Sequence, residues 1–79
     1  MTDLKELVTY IVKALVDKQD KVTVAEIAGD KSIIYEIRVG EGDMGKVIGK
    51  EGRTAQAVRT IITAAAMKLG KRTVIEILE

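Results

Sequence analysis

The chain has 79 residues, no cysteine, no histidine, and two tyrosines as its only aromatic residues. This length predicts one domain with a thin core. The missing cysteine and histidine exclude disulfides and thiolate metal sites and remove the usual general base, so we expect no catalytic residues, metal or cofactor. The net charge of +1 is unevenly placed: residues 1–43 carry six basic and nine acidic side chains, residues 44–79 seven and three. This asymmetry favours a polyanionic partner for the second half.

The first 43 residues predict one helix followed by two strands. Apolar side chains recur at helical spacing over residues 3–16, with Thr2 or Asp3 placed to cap the helix. Residues 21–28 and 32–39 alternate as strands do, and the turn at 29–30 predicts an antiparallel hairpin. Ile27 breaks the alternation of the first strand, which predicts a bulge or bend there. The apolar sets are Leu4, Leu7, Val8, Ile11, Val12 and Leu15 for the helix, Val22 and Val24 for the first strand, and Ile33, Tyr35, Ile37 and Val39 for the second.

The remaining residues predict two helices and a last strand. The segment 40–52 contains five glycines, and Asp43 is placed to cap a short helix over 44–48. A longer helix should run from Arg53 to about Leu69 and end at Gly70. A strand is expected over 72–78. The predicted buried stripe of the long helix is Val58, Ile61, Ile62, Ala65 and Leu69.

The predicted order, α-β-β-α-α-β, indicates an α+β fold. The second and third strands are joined by a helical crossover, which makes them parallel when both lie in one sheet. The expected architecture is a three-stranded mixed sheet with three helices on one face.

Three glycine motifs compete for a functional role. "GEGDMG" (40–45) matches a dinucleotide fingerprint, but the acidic residue required about 20 residues later is missing. "GEGDMGKV" resembles a phosphate-binding P-loop, but Val47 stands where a Ser or Thr must bind magnesium. The third motif, "GKEG" (49–52), lies between two predicted helices. Its glycines let a ligand approach the backbone at a helix N-terminus, where Lys50 and Arg53 add positive charge.

The stretch "KVIGKEGRTAQAVRTI" (46–61) resembles the I-G-x-x-G signature of KH domains, which hold about four nucleotides against this loop. The helix and strand before the core resemble the type II arrangement. The whole chain is similar to the small bacterial single-KH proteins of the KhpA family. The resemblance covers essentially all residues and implies a single type II KH domain over 1–79.

Carried over by position, the resemblance implies RNA contacts around the Gly49–Gly52 loop. Ile48 should anchor the short helix in the core, and Glu51 should point away from phosphates. Ala55 stands where many KH domains place a larger aliphatic residue, which implies a shallow base pocket. Lys71 and Arg72 fall where the opposite wall of the groove would form. The full set of expected RNA-binding residues is Lys46, Ile48, Gly49, Lys50, Glu51, Gly52, Arg53, Thr54, Ala55, Arg59, Lys71 and Arg72.

The resemblance also implies a cytoplasmic, non-catalytic protein that binds single-stranded RNA in a groove formed by the G-x-x-G loop, its flanking helices and the last strand. We expect it to act as a global post-transcriptional regulator or RNA chaperone, as a homodimer or as a heterodimer with a KhpB-type protein. The sheet face away from the helices, with Ile34 and Val74, is the expected contact surface. No small-molecule substrate is expected. No membrane association is expected either, because no apolar run approaches the roughly 18–20 residues that span a bilayer. The alternative is a protein–protein adaptor whose KH fold does not contact nucleic acid.

Overall fold

The computed structural model describes the backbone of residues 2–79 and the side chains from Leu4 onward. The predicted α-β-β-α-α-β order is confirmed, with short 3₁₀ turns at Gln19–Lys21 and Lys50–Gly52. The cap expected at Thr2 or Asp3 lies outside the described side chains. The elements are α1 (Thr2–Leu15), β1 (Thr23–Ala28), β2 (Ser32–Arg38), α2 (Met44–Ile48), α3 (Arg53–Lys68) and β3 (Arg72–Leu78).

The three strands form one mixed sheet in the order β1-β2-β3. The central strand β2 pairs antiparallel with β1 and parallel with β3, as predicted. The prediction of a bulge or bend at Ile27 is wrong, because the β1–β2 register is continuous and sets Ile27 beside Ile34. Ile27 breaks the apolar alternation because it lies on the open face, while Glu26 occupies the helix-facing position. The Tyr35 hydroxyl donates a hydrogen bond to the Glu26 carboxylate at 2.6 Å, which satisfies both groups.

The core lies between one face of the sheet and the helices. The alternation predicted for β2 is confirmed, since Ile33, Tyr35 and Ile37 are at most 2% exposed. The helices cover these residues with short apolar stripes, which buries the hydroxyl-bearing Tyr35 completely. The helical contributors are Leu4, Val8 and Val12 from α1, Val47 from α2, and Val58, Ile62 and Ala66 from α3.

The predicted buried stripe of α3 is partly wrong. Ile61 is 52% exposed and Leu69 is 44% exposed, whereas Ala55 and Ala66 are at most 4% exposed. The helix therefore presents a narrow stripe with alanine at both ends, because small side chains let its backbone approach the sheet and α1 closely. The predicted stop at Gly70 is confirmed: the last turn closes through backbone hydrogen bonds from residues 70 and 71 to carbonyls of the preceding turn.

Candidate functional site

The loop between α2 and α3 is a tight turn that passes through the left-handed region of backbone space. Gly49 and Gly52 have φ angles of +78° and +74°, and Glu51 between them has φ +57°. The Gly49 N–H donates to the Gly45 carbonyl at 2.8 Å and the Gly52 N–H to the Gly49 carbonyl at 3.1 Å. Three left-handed positions in four residues bring the end of α2 directly onto the start of α3.

The two glycines of this loop are needed for different reasons. A Cβ atom on Gly49 would overlap the Thr54 side chain and lie 2.8 Å from the Thr54 backbone nitrogen. A Cβ on Gly52 would meet no heavy atom within 4 Å, so only its backbone conformation favours glycine there. Thr54 therefore packs beneath Gly49 and supports the loop, which places it behind the surface that a ligand would touch.

The N-terminus of α3 faces outward without a side-chain cap. Gly52 occupies the N-cap position and offers no side-chain acceptor. The Gly52 and Arg53 N–H groups donate to the Gly49 and Lys50 carbonyls, whereas the next N–H groups of the first turn have no partner inside the helix, and the helix dipole places partial positive charge there. Because this helix has 16 residues and begins in an exposed glycine loop, its start can accept an anionic oxygen from outside.

Three side chains set the local charge at the loop. The Glu51 carboxylate lies 3.3 Å from the Arg53 guanidinium, and both side chains are mostly exposed. Lys50 is exposed and has no ion-pair partner among the described residues. Glu51 thus offsets part of the positive charge of Arg53, while the ammonium of Lys50 is unpaired among the described residues.

The base of α2 is fastened to the connection between α1 and β1. Asp43 occupies the N-cap position as predicted, but its carboxylate makes no cap bond and instead accepts the Lys18 backbone N–H at 2.9 Å. This hydrogen bond holds the pKa of Asp43 below its ordinary value. The Lys46 ammonium lies 3.3 Å from Asp17 and 3.8 Å from Asp43. Lys46 therefore braces α2 against this connection.

The expectation that Ile48 anchors α2 in the core is wrong. Val47 fills that position and is fully buried, while Ile48 is half-buried and lies outside the core cluster. The last residue of α2 thus reaches the boundary between the core and the loop surface.

A shallow groove runs between α3 and β3. Arg59 and Thr63 line it from the helix, and Thr73, Val74 and Ile75 line it from the strand. The Thr63 and Thr73 hydroxyls are 3.4 Å apart across its floor. Arg59 was predicted from the sequence. Thr63 was missed, although its position one turn after Arg59 on the same helix was a usable signal, and the strand-side residues were missed as well.

The expected RNA-binding residues outside the loop are placed in three surroundings. Ala55 is 4% exposed, so it contributes almost no surface. The Lys71 ammonium donates to the carbonyls of Gly29 at 3.0 Å and Asp30 at 2.6 Å, at the β1–β2 turn. Strand alternation places Arg72 on the open face of the sheet, opposite to the helices. The structure therefore places the loop at the start of α3 and Arg59 in the groove between α3 and β3.

The described residues offer neither a metal centre nor a membrane-spanning helix. No group of three or more acidic side chains that could hold a metal ion lies among residues 4–79. No helix in the described part of the chain is long and apolar enough to cross a bilayer. The Gly49–Gly52 loop and the groove between α3 and β3 are therefore the candidate binding surfaces.

Two helices joined by a G-x-x-G loop, packed on a three-stranded mixed sheet, define a KH domain. The family model described as "KhpA/KhpB, KH domain" matches residues 5–77. The chain belongs to this family.

The similar curated proteins have nearly the same length and share one name. "RNA-binding protein KhpA" of Aquifex aeolicus is 54% identical over 79 residues, covering all of both chains. The protein of that name from Clostridium perfringens is 55% identical over 95% of this chain and all of its own. That of Caldanaerobacter subterraneus is 59% identical over 92% of this chain and 97% of its own. No solved structure matches the chain significantly.

Proposed function

We propose that this protein binds single-stranded RNA without catalysing a reaction. The relatives at 54–59% identity carry the name RNA-binding protein over essentially the same length. The observation that carries the proposal is the uncapped N-terminus of α3 behind Gly49 and Gly52, with exposed Lys50 beside it. A phosphodiester group fits this combination of a positive helix end and an exposed ammonium.

The contacts divide into phosphate and base contacts. The backbone of residues 49–52 and the side chains of Lys50 and Arg53 bind phosphates, with Arg53 released from Glu51 as the phosphate arrives. The bases lie toward the α3–β3 groove, where the Arg59 guanidinium and the hydroxyls of Thr63 and Thr73 offer polar contacts. Because Ala55 is buried and no aromatic side chain lines the groove, recognition rests on few base contacts and sequence preference is weak.

Lys46 and Lys71 act around this centre, whereas Arg72 lies on the open face of the sheet. Lys46 and Lys71 hold α2 and the β1–β2 turn through the contacts described above, and each can still attract phosphate at longer range. The Thr54 side chain supports the loop through its close packing against Gly49. These residues tune the loop and its potential, while the direct contacts come from the loop itself and Arg59.

A single KH groove holds about four nucleotides, so its affinity is modest. Pairing two grooves makes the second contact effectively intramolecular and raises avidity about 10²–10⁴-fold. We therefore propose that the protein works with a second KH-containing chain, either another copy or a KhpB-type partner. Weak sequence preference combined with paired grooves suits a cytoplasmic RNA chaperone or global post-transcriptional regulator.

The loop is tested by reversing its charge. Replacing Lys50→Asp together with Glu51→Asp sets two carboxylates where phosphate should lie, while both positions are exposed and off the core. We expect RNA affinity to fall at least tenfold, which is about 1.4 kcal/mol. The measurement is fluorescence anisotropy with a short labelled single-stranded RNA of mixed sequence, with circular dichroism confirming the fold.

The chain supplies a matched control for this test. Lys5 and Glu6 form the same residue pair on the exposed side of α1, so Lys5→Asp with Glu6→Asp makes the same change of charge away from the loop. This control should leave affinity within about twofold. Equal losses in both double variants would show a diffuse electrostatic interaction, and unchanged binding in the loop variant would remove the loop from the mechanism.

A further inference from the structure

Two threonine hydroxyls face each other across the floor of the groove between α3 and β3. Thr63 is an exposed residue of the helix, and Thr73 is a half-buried residue of the strand. Their Oγ1 atoms are 3.4 Å apart, and either one can be the donor. This distance exceeds the value of about 2.7–2.8 Å that is typical of a hydroxyl–hydroxyl hydrogen bond, so the two groups bind each other weakly.

Thr63 differs from two other threonines that lie inside helices. The hydroxyls of Thr9 and Thr60 donate to the carbonyls four residues earlier, at 2.8 and 2.9 Å. This is the usual hydrogen bond of a threonine side chain within a helix. Thr63 makes no bond of this kind, and its hydroxyl reaches only Thr73 among the described residues. The Thr63 hydroxyl is therefore directed into the groove, where most of its hydrogen-bonding capacity remains open.

We propose that the Thr63 and Thr73 hydroxyls recognise the 2′-hydroxyl of a ribose, so that the groove distinguishes RNA from single-stranded DNA. The 2′-hydroxyl both donates and accepts, and it is the group that lets a protein tell the two nucleic acids apart. An oxygen about 2.8 Å from both Oγ1 atoms accepts from one threonine and donates to the other. Two ordinary hydrogen bonds thereby replace one weak bond. This inference rests on the proposed function and names the nucleic acid that the same site selects.

The chemistry of the groove favours a sugar over a base as the group that these hydroxyls recognise. A threonine hydroxyl pairs with donors and acceptors alike, so it discriminates poorly between base edges. The groove has a free volume of about 250 Å³, which is the share of roughly eight water molecules in the liquid. This space suits a sugar ring and its hydroxyls. A base would find no aromatic side chain among the lining residues on which to stack.

The threonine pair lies within reach of an RNA strand that is held at the Gly49–Gly52 loop. Thr63 is eleven residues after Gly52, a distance of about 16 Å along the helix axis. Four nucleotides span about 14 Å even at the duplex spacing of about 3.4 Å each, and more when the strand is extended. Arg59 lines the same groove one turn nearer the loop, where its guanidinium can bind a phosphate between the two sites. One strand can therefore contact the loop through a phosphate and the threonine pair through a ribose.

Fluorescence anisotropy with matched RNA and DNA tests the proposal. The probes are short labelled single strands with the same bases, uracil included, which differ only in carrying ribose or 2′-deoxyribose. We expect the RNA to bind about tenfold more tightly, which is about 1.4 kcal/mol and close to the net contribution of one hydrogen bond. A 2′-fluoro strand should bind like the DNA, because fluorine preserves the sugar conformation of RNA but cannot donate a hydrogen bond.

Removing the two hydroxyls should remove the preference for RNA. Thr63→Val combined with Thr73→Val keeps the branched shape of both side chains, and the ratio of RNA to DNA affinity should fall from about ten to near one. Thr9→Val combined with Thr60→Val is the matched control, because it removes two hydroxyls that bond within helices and do not line the groove. The control should keep the ratio within about twofold of that of the unmodified protein, and circular dichroism checks the fold of both variants.

Three results would overturn the recognition of the sugar while leaving the proposed RNA-binding function intact. They are equal binding of RNA and DNA by the unmodified protein, tight binding of the 2′-fluoro strand, and an unchanged affinity ratio in the variant with Thr63→Val and Thr73→Val. The loop variant with Lys50→Asp and Glu51→Asp reports separately on the proposed function, because it should weaken the binding of RNA and DNA alike. An unmodified protein that binds neither strand would overturn both the proposed function and this inference.

Discussion

Alanine at the two glycines of the Gly49–Gly52 loop should have clearly unequal costs. Gly49 has φ +78° and ψ 172°, a conformation that essentially only glycine adopts, and its Cβ would lie 2.6 Å from the Thr54 Cβ. Gly52 has φ +74° and ψ 12°, an ordinary left-handed position with open space around it. The first substitution adds backbone strain and overlap, while the second adds backbone strain alone.

The difference can be estimated. Backbone strain of about 1–3 kcal/mol and overpacking of about 1–3 kcal/mol make Gly49→Ala destabilising by about 2–6 kcal/mol. Gly52→Ala should cost about 1–2 kcal/mol. For a domain of this size 1 kcal/mol corresponds to roughly 4–8 °C in Tm, so Gly49→Ala should lower Tm by roughly 10 °C more. Thermal and urea unfolding followed by circular dichroism measure both.

Gly45 provides the control for this comparison. It lies inside α2, and a Cβ there would meet nothing within 4 Å, so Gly45→Ala should be neutral or stabilising because alanine favours helix. If Gly49→Ala proves no more destabilising than Gly52→Ala, the close packing of Thr54 against Gly49 is refuted and the loop is more adaptable than its geometry indicates.

Three further results are expected. With about two to four phosphates neutralised, log K for single-stranded RNA should fall with log salt at a slope of roughly −1.5 to −3, and a slope steeper than about −5 would indicate a broader electrostatic surface. Burial, followed by the hydrogen bond to Glu26, raises the pKa of Tyr35, so the stabilisation it gives is complete below pH 10 and is lost at higher pH. Urea midpoints measured between pH 8 and 11 should therefore fall more for the unmodified protein than for Tyr35→Phe, and parallel curves would contradict this. The pKa of Asp43 is lowered, chiefly by the Lys18 backbone hydrogen bond, so its stabilisation is complete above the ordinary value of 3.8 and is lost as the pH falls below it. Asp43→Asn should remove that acid-dependent loss, as seen in midpoints between pH 2 and 6.

Local patterns in the sequence were enough to predict the sheet. The strict alternation of Ile33, Tyr35 and Ile37 identified the central strand, and the helical crossover predicted that the last strand would pair with it in parallel. These signals succeed because a central strand buries one face against helices and the chain has few other apolar runs to compete. The position of the G-x-x-G loop was also predicted correctly, because its glycines lie between two clear helical segments.

The phase of α3 could not be predicted, because its apolar residues surround most of the helix. Ile61 is larger and more hydrophobic than Ala55 and Ala66, yet it faces outward while both alanines are buried. Hydrophobicity alone favours the isoleucine, whereas the close approach of α3 to its neighbours favours the small side chains. The structure decides between these two effects, because the distance between α3 and its neighbours cannot be read from the sequence of any one element.

The sequence also did not show which basic side chains around the loop form ion pairs or hydrogen bonds within the chain. The excess of basic residues in the second half favoured a polyanionic partner, but Lys46 is paired with Asp17, and Lys71 reaches carbonyls about forty residues away at the β1–β2 turn. Arg53 is matched by Glu51 next to it. Among the expected RNA-binding cations on the loop and groove, Lys50 and Arg59 are left without an ion pair in the described residues. The proposed RNA contacts therefore rest on exposed Lys50 and Arg59 and on the positive end of the α3 dipole, so a shallow salt dependence is expected together with a strong requirement for the glycine backbone.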